Sequence, residues 1–165
     1  MQAAEVTNPD LSLLLGLKPD QIEQVLGCGS ELQFAKGAFI FHEGEDADQF
    51  FVIKQGVVAL EIYLPGRGPH CISTLHPSEV LGWSWLFAPY RWHFDAQALA
   101  PTRLLAFNAP CLRGLCEADH NIGYPLVLRF AEIIVERLQA TRLQLLDVYQ
   151  ADPVRGWGSQ RGSST

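Results

Sequence analysis

The sequence is short of positive charge, has no C-x-x-C pair and has no long apolar run. Its 12 lysines and arginines stand against 18 aspartates and glutamates, a formal net charge of −6. An acidic balance without a basic stripe lacks the footprint that autonomous nucleic-acid binding leaves in a chain. No apolar stretch approaches the about 20 residues that a membrane-spanning helix needs, so no helical membrane span is expected. Residues 1–10 lack a basic region followed by an apolar run, so no secretory leader is expected there. The cysteines, Cys28, Cys71, Cys111 and Cys116, have no zinc-ligand spacing, and Cys111 and Cys116, five apart, do not face each other on a helix. Four buried, reduced thiols in a cytoplasmic protein are therefore expected, rather than disulfides or metal. His42, His70, His76 and His120 are scattered through turns. They read as surface histidines, and no metal site is expected. Metal-dependent enzymes on small β-rolls need an inward cluster of histidines and a carboxylate, so an enzyme is not expected either.

What is present suits one globular domain. A chain of about 150 residues buries roughly 70% of its unfolded surface, enough for one core with little left for a second. Residues 1–10 form an arm. Asp10 can cap a short helix carrying Leu11, Leu13, Leu14 and Leu15. Pro19 suits the first position of a second helix, with Ile22, Val25 and Leu26 as its apolar stripe. Glycines 27 and 29 are expected to end it in left-handed cap geometry.

From residue 31 to 107 the period changes to two. Extended runs at 31–35, 39–41, 49–54, 57–63, 70–75, 92–100 and 103–107 alternate with glycine-rich breaks. Many short strands punctuated by turn residues predict a mainly β jelly roll or β-roll with flanking helices. Asn108 is a good N-cap for a helix at 109–118. A long helix at 121–149 follows. Its apolar seam is Tyr124, Val127, Ala131, Ile134, Leu138, Thr141, Leu145 and Val148, which alternates steps of three and four as a coiled-coil face does. Leu126, Phe130, Ile133, Leu143 and Leu146 lie on other faces and are expected to pack on the roll. The seam then faces a second copy, giving a homodimer. Residues 150–165, glycine- and serine-rich and including Trp157, read as a flexible tail.

This order of elements resembles the cyclic-nucleotide-binding domain of the catabolite activator/FNR (Crp/Fnr) regulator superfamily. The likeness spans about residues 11–149. It is carried by residues 36–47 (Lys-Gly-Ala-Phe-Ile-Phe-His-Glu-Gly-Glu-Asp-Ala), by 50–58 (Phe-Phe-Val-Ile-Lys-Gln-Gly-Val-Val), by Val80-Leu81-Gly82 through Leu86-Phe87, and by Arg137 to Thr141. Gly37, Gly44 and Gly56 fall where tight turns need φ > 0 and are structural. The resemblance implies a β-roll with N-terminal helices and a long C-terminal dimerisation helix. It also implies a sensor function and a phosphate-binding cassette beginning at Gly82.

In nucleotide-binding members of the superfamily, backbone N–H groups of a short helix and an inward arginine hold the cyclic phosphate. A glutamate after the cassette glycine holds the ribose, and a polar residue of the long helix reads the base. Here Trp83 stands at the glutamate position, followed by Ser84 and Trp85. The arginine position falls near Trp92 or His93. Strand alternation puts Trp92, Phe94, Ala96, Ala98 and Ala100 on the apolar face, and turns Arg91 and His93 outward unless a bulge intervenes. Thr141 takes the place of the base-reading hydroxyl or, equally, of a polar seam residue that sets helix register.

The candidate ligand-binding residues are thus Gly82, Trp83, Ser84, Trp85, Arg91, Trp92, His93 and Thr141. An unpaired buried anion costs several kcal/mol, so cAMP and cGMP are disfavoured as cofactors. Trp83, Trp85, Phe87, Trp92 and Phe94 gather around the cassette, either as a self-filled core or as a pocket for an aromatic or amphipathic ligand. Their buried indole N–H groups need polar neighbours, with Ser84 the nearest in sequence. The chain therefore reads as a cytoplasmic, dimeric regulatory module with a degenerate cassette. Superfamily members carry a helix-turn-helix domain after the long helix; none follows residue 149, so direct DNA binding is not expected and a separate protein partner is. Two alternatives stay open: an interaction domain that binds no ligand, and a true cAMP or cGMP binder that uses Arg91.

Overall fold

The computed structural model describes residues 12–151, with no side-chain description at residues 12 and 148–151. The arm at 1–10, the Asp10 cap with Leu11, and Trp157 in the tail lie outside the described residues. The chain divides into two compact units, Met1–Phe130 and Ala131–Thr165.

The first unit is a β-roll with helices before and after it. A single 3-10 turn, Ser12–Leu14, leads into α1, Pro19–Leu26. Lys18 N–H donates to Gln21 Oε1 at 2.9 Å and closes the first turn of α1, as a reciprocal cap does. The C-terminus departs from expectation. Gly27 is right-handed, with φ −62°, and the helix ends through Cys28 N–H bonding Val25 O at 3.0 Å. The left-handed cap is not needed because β1 starts two residues later.

Among the described residues the strands are β1 Gly29–Phe34, β2 Phe39–Phe41, β3 Gln49–Gln55, β4 Val58–Leu64, β5 Gly68–Leu75, β6 Val80–Leu81, β7 Asp95–Ala98 and β8 Thr102–Asn108. They form two antiparallel four-stranded sheets, ordered β1-β8-β3-β6 and β2-β7-β4-β5. Gly37, Gly44 and Gly56 are left-handed as the turns require. One strand was not expected and one expectation is corrected. β6, only two residues long, is too short to show a period. The run expected at 92–100 shrinks to β7, because residues 90–92 bond instead to the loop at 44–47.

The inward faces of the two sheets fill the roll. Phe41, Phe51, Ile53, Leu60, Leu81, Trp92, Phe94 and Leu104 are all buried in one cluster. A second aromatic group is centred on Phe50, which stacks on Trp85 at 4.9 Å and on Phe107 at 4.7 Å. Phe130 meets both Phe50 and Trp85 edge-on at 5.0 Å. Offset and edge-on contacts at these separations suit the ring quadrupoles.

The helix α2, Ala109–Ala118, is capped as expected, with Asn108 Oδ1 accepting from Cys111 N–H at 2.8 Å. The reduced state expected of all four cysteines is corrected. Cys28 and Cys111 form a disulfide with Cα atoms 5.9 Å apart, inside the span such a bond needs. The β1–β8 ladder, which pairs Gly29 with Phe107, brings the two cysteines together across 83 residues of chain. Cys71 is free and exposed, and Cys116 is free and half-buried. Burial, and then the charge of Glu117, push the Cys116 thiol above its ordinary value.

The last helix, α3, runs His120–Ala151, two residues past its expected end, and contains Pro125. Its start crosses α2 closely. A Cβ on Gly123 would lie 2.6 Å from the carbonyl oxygen of Cys116 and 3.0 Å from its Cα, so only glycine fits. Leu126 and Phe130 are buried as expected. Leu143 and Leu146, expected on a packed face, are 64% and 55% exposed. The seam residues Tyr124, Val127, Leu138 and Leu145 are exposed as well.

Candidate functional site

The cassette is built on the edge of the first sheet. β6 pairs with β3 through Val80–Val52 and Leu81–Phe51. The chain then reverses at Gly82, whose φ is +95°, and enters a 3-10 turn, Ser84–Leu86. After a cis Ala88–Pro89 bond, Tyr90 takes a left-handed φ of 54°, uncommon outside glycine.

Residues 90–92 are zipped onto the loop between β2 and β3. Ala47 N–H bonds Tyr90 O at 2.7 Å, Trp92 N–H bonds Glu45 O at 3.0 Å, and Gly44 N–H bonds Trp92 O at 2.9 Å. This pairing sets which side chain points in. Trp92 is only 3% exposed. Its ring stacks on Phe41 with centroids 3.9 Å apart and planes 8° from parallel. It also lies under the cassette glycine, so that a Cβ on Gly82 would fall 2.5 Å from Trp92 Cη2. Arg91 points outward. Its Nη1 sits 2.9 Å from Asp46 Oδ1 and donates to Gly44 O at 3.2 Å.

The other candidates separate. His93 is exposed and lies against Trp83, with centroids 5.8 Å apart. Trp83 also meets the exposed Phe87 edge-on at 6.4 Å. The aromatics expected as one group around the cassette are therefore three: Trp92 and Phe94 inside the roll, Trp85 on Phe50, and Trp83 with Phe87 and His93 outside.

One expectation is overturned. Ser84 Oγ and Trp85 Nε1 are both buried, and neither has a hydrogen-bond partner among the described residues, so Ser84 does not satisfy an indole N–H there. Thr141 lies in the second unit, where its hydroxyl donates to Arg137 O at 2.9 Å within the helix.

Sequence reasoning missed Arg113, on α2. Its Nη1 donates to Trp85 O at 2.6 Å, and its guanidinium lies 4.3 Å over the Tyr90 ring. It grips the cassette from behind at two points. No local pattern marks it, because the contact is made across 28 residues. Among the described residues, no group of three or more His, Cys, Asp or Glu is placed to hold a metal ion, and no helix is long and apolar enough to cross a membrane.

Two antiparallel sheets, a cassette turn at a left-handed glycine and a long helix after the roll define a domain of the cyclic-nucleotide-binding fold. Residues 31–119, more than half of the chain, match the cyclic nucleotide-binding domain family, and the chain belongs to it. Over 137 residues it is 23% identical to the CRP-like cAMP-activated global transcriptional regulator of Mycobacterium tuberculosis, a match covering 83% of this chain and 59% of that protein. The chain thus spans less than two thirds of the length of the curated relatives that it matches first. Among solved structures, it is similar to the N-terminal domain of a transcriptional regulator from Streptomyces coelicolor A3(2), with 26% identity, a TM-score of 0.63, and 81% and 90% of the two chains covered. A cyclic nucleotide-binding domain from Methylobacillus flagellatus shares the fold with a TM-score of 0.73 at 14% identity, covering 79% of this chain and 74% of that one.

Proposed function

We propose that the chain is a dimeric, cytoplasmic regulatory module of the cyclic-nucleotide-binding fold whose cassette has lost its cyclic-phosphate site, and that it signals to a separate protein rather than to DNA. One observation carries the reading: the indole of Trp92 lies beneath Gly82 and on Phe41, and Trp92 or His93 is where the resemblance puts the family's inward arginine. A phosphate brought there would lose its hydration without gaining a cation, at a cost of several kcal/mol. Arg91, the nearest cation in sequence, is engaged outside by Asp46. Dimerisation is supported by the apolar seam that α3 leaves in solvent, and signalling to a protein by the net charge of −6, which opposes approach to nucleic acid. The module binds and relays; it carries out no catalysis.

Titration calorimetry with cAMP and with cGMP tests the reading, together with thermal shift. A ligand present at 100 times its dissociation constant adds about 2.7 kcal/mol of stability. No heat and no shift are expected, and tight capture of either nucleotide refutes the proposal. A second reading, an aromatic or amphipathic ligand at the cassette, is favoured by Ser84 Oγ and Trp85 Nε1, both buried and without a hydrogen-bond partner among the described residues. A thermal-shift screen of aromatic metabolites separates it from a silent interaction domain.

A further inference from the structure

Helix α2 is held at three places. At its start Cys111 is bonded to Cys28. Two residues on, Arg113 grips the carbonyl of Trp85 and the ring of Tyr90. Near its end Cys116 meets Gly123 at the start of α3. The disulfide is asymmetric, since Cys28 is buried and Cys111 is exposed. Its halves are also kept adjacent without it: Asn108 N–H bonds Cys28 O at 2.9 Å, and the β1–β8 ladder runs to the neighbouring Gly29–Phe107 pair. Exposed disulfides are the labile ones, and a cysteine in the first turn of a helix is favoured as thiolate by the helix dipole.

We infer that Cys28 and Cys111 form a reversible thiol–disulfide exchange site whose co-reactant is a low-molecular-weight thiol/disulfide couple of the glutathione type. A thiolate of the couple attacks Sγ of Cys111, the exposed member. The Sγ–Sγ bond breaks, and Cys28 leaves with the electron pair and takes a proton. A second thiolate then attacks the mixed disulfide. The small disulfide forms and Cys111 is released as a thiolate that takes up a proton. In sum, two small thiols give two electrons and two protons to the two protein sulfurs. The small disulfide reverses the sequence, and the backbone contacts hold the thiols in reach. Reduction removes the covalent tie at the first turn of α2, leaving it on the Asn108 cap and backbone contacts alone, and so weakens the support of the Arg113 grip on the cassette. The inference goes beyond the regulatory reading above and holds whether or not the cassette takes a ligand.

The test uses the full chain carrying Cys71→Ser, which removes the exposed third thiol. The chain is equilibrated in glutathione buffers of graded oxidised-to-reduced ratio, trapped with an alkylating reagent and mapped by mass spectrometry. Hydrogen exchange is then compared between the two end states. The expected result is a bond that opens and closes reversibly within the ratios that cells maintain, with trapped glutathione on Cys111. In the reduced, folded chain, exchange in α2 and in residues 82–90 is expected to rise by about tenfold or more, as loss of a charge-assisted hydrogen bond implies. The Cys28→Ser/Cys111→Ser variant without reductant should show the same pattern. A bond that survives every such ratio, a reduced chain that unfolds as a whole, glutathione on Cys28 instead, or unchanged exchange at α2 and the cassette overturns the inference.

Discussion

Gly82→Ala is the sharpest probe of the indole beneath the cassette. Gly82 has φ +95°, and a side chain in left-handed backbone costs about 1–2 kcal/mol. The new Cβ would also fall 2.5 Å from Trp92 Cη2 and 2.6 Å from Cζ3. The ring is stacked on Phe41 at 3.9 Å and cannot retreat without disturbing the core, and overpacking of this kind costs about 1–3 kcal/mol. Together these give a loss of about 2–5 kcal/mol, which lowers Tm by at least about 4 °C in a domain of this size. Urea denaturation of a double-mutant cycle separates the two contributions. Trp92→Phe removes the benzo-ring atoms that the Cβ meets, so on that background Gly82→Ala keeps only its backbone cost. The coupling should be about 1–3 kcal/mol. An equal cost of Gly82→Ala on both backgrounds would show that the indole is not packed under the glycine, and the account of a filled cassette would fall with it.

Ser84→Ala deletes a buried hydroxyl without a partner; it should stabilise the domain by about 1 kcal/mol in chemical denaturation, whereas a loss of stability would reveal a bound partner for that oxygen. Leu138→Asp places like charges across the proposed seam, and sedimentation velocity should show a monomer where the parent chain is a dimer. Arg113→Ala removes the bond to Trp85 O and the stack on Tyr90; a loss of about 1–3 kcal/mol is expected, with faster hydrogen exchange confined to the cassette. The Glu31 carboxyl is held below its ordinary 4.5 by hydrogen bonds from Arg103 and then Lys54. Its stabilising contribution is complete above that ordinary value and is lost as pH falls through the lowered one. Stability–pH curves of the parent and Glu31→Gln should therefore differ at neutral pH and converge in acid.

Much of the roll can be read in the sequence because a half-buried strand alternates with a period of two. That alternation puts Trp92 on the inward face but leaves Arg91 open to reversal by a bulge, and the zipper to the loop at 44–47 is what holds it outward. The Asn108 cap is equally local. What stays hidden depends on long-range contact. Cys28 and Cys111 are joined only because β1 and β8 pair, and a rule about cellular compartments pointed the other way. The aromatics of the cassette form one group in sequence, yet Trp83 meets Phe87 and His93 while Trp85, two residues on, meets Phe50 and Phe130. Arg113 reaches the cassette from another element altogether. On α3 the heptad pattern marks an apolar face, but it does not mark Phe130, where the first compact unit ends.

The crossing of Gly123 over Cys116 leaves main chain against main chain, with nothing soft between. An elbow of that kind cannot bend by swapping rotamers, as a side-chain contact can. At that point α2 and the opening turn of α3 are in contact through backbone. Even a methyl group at position 123 would have to push that backbone apart, since it would lie 2.6 Å from the Cys116 carbonyl oxygen.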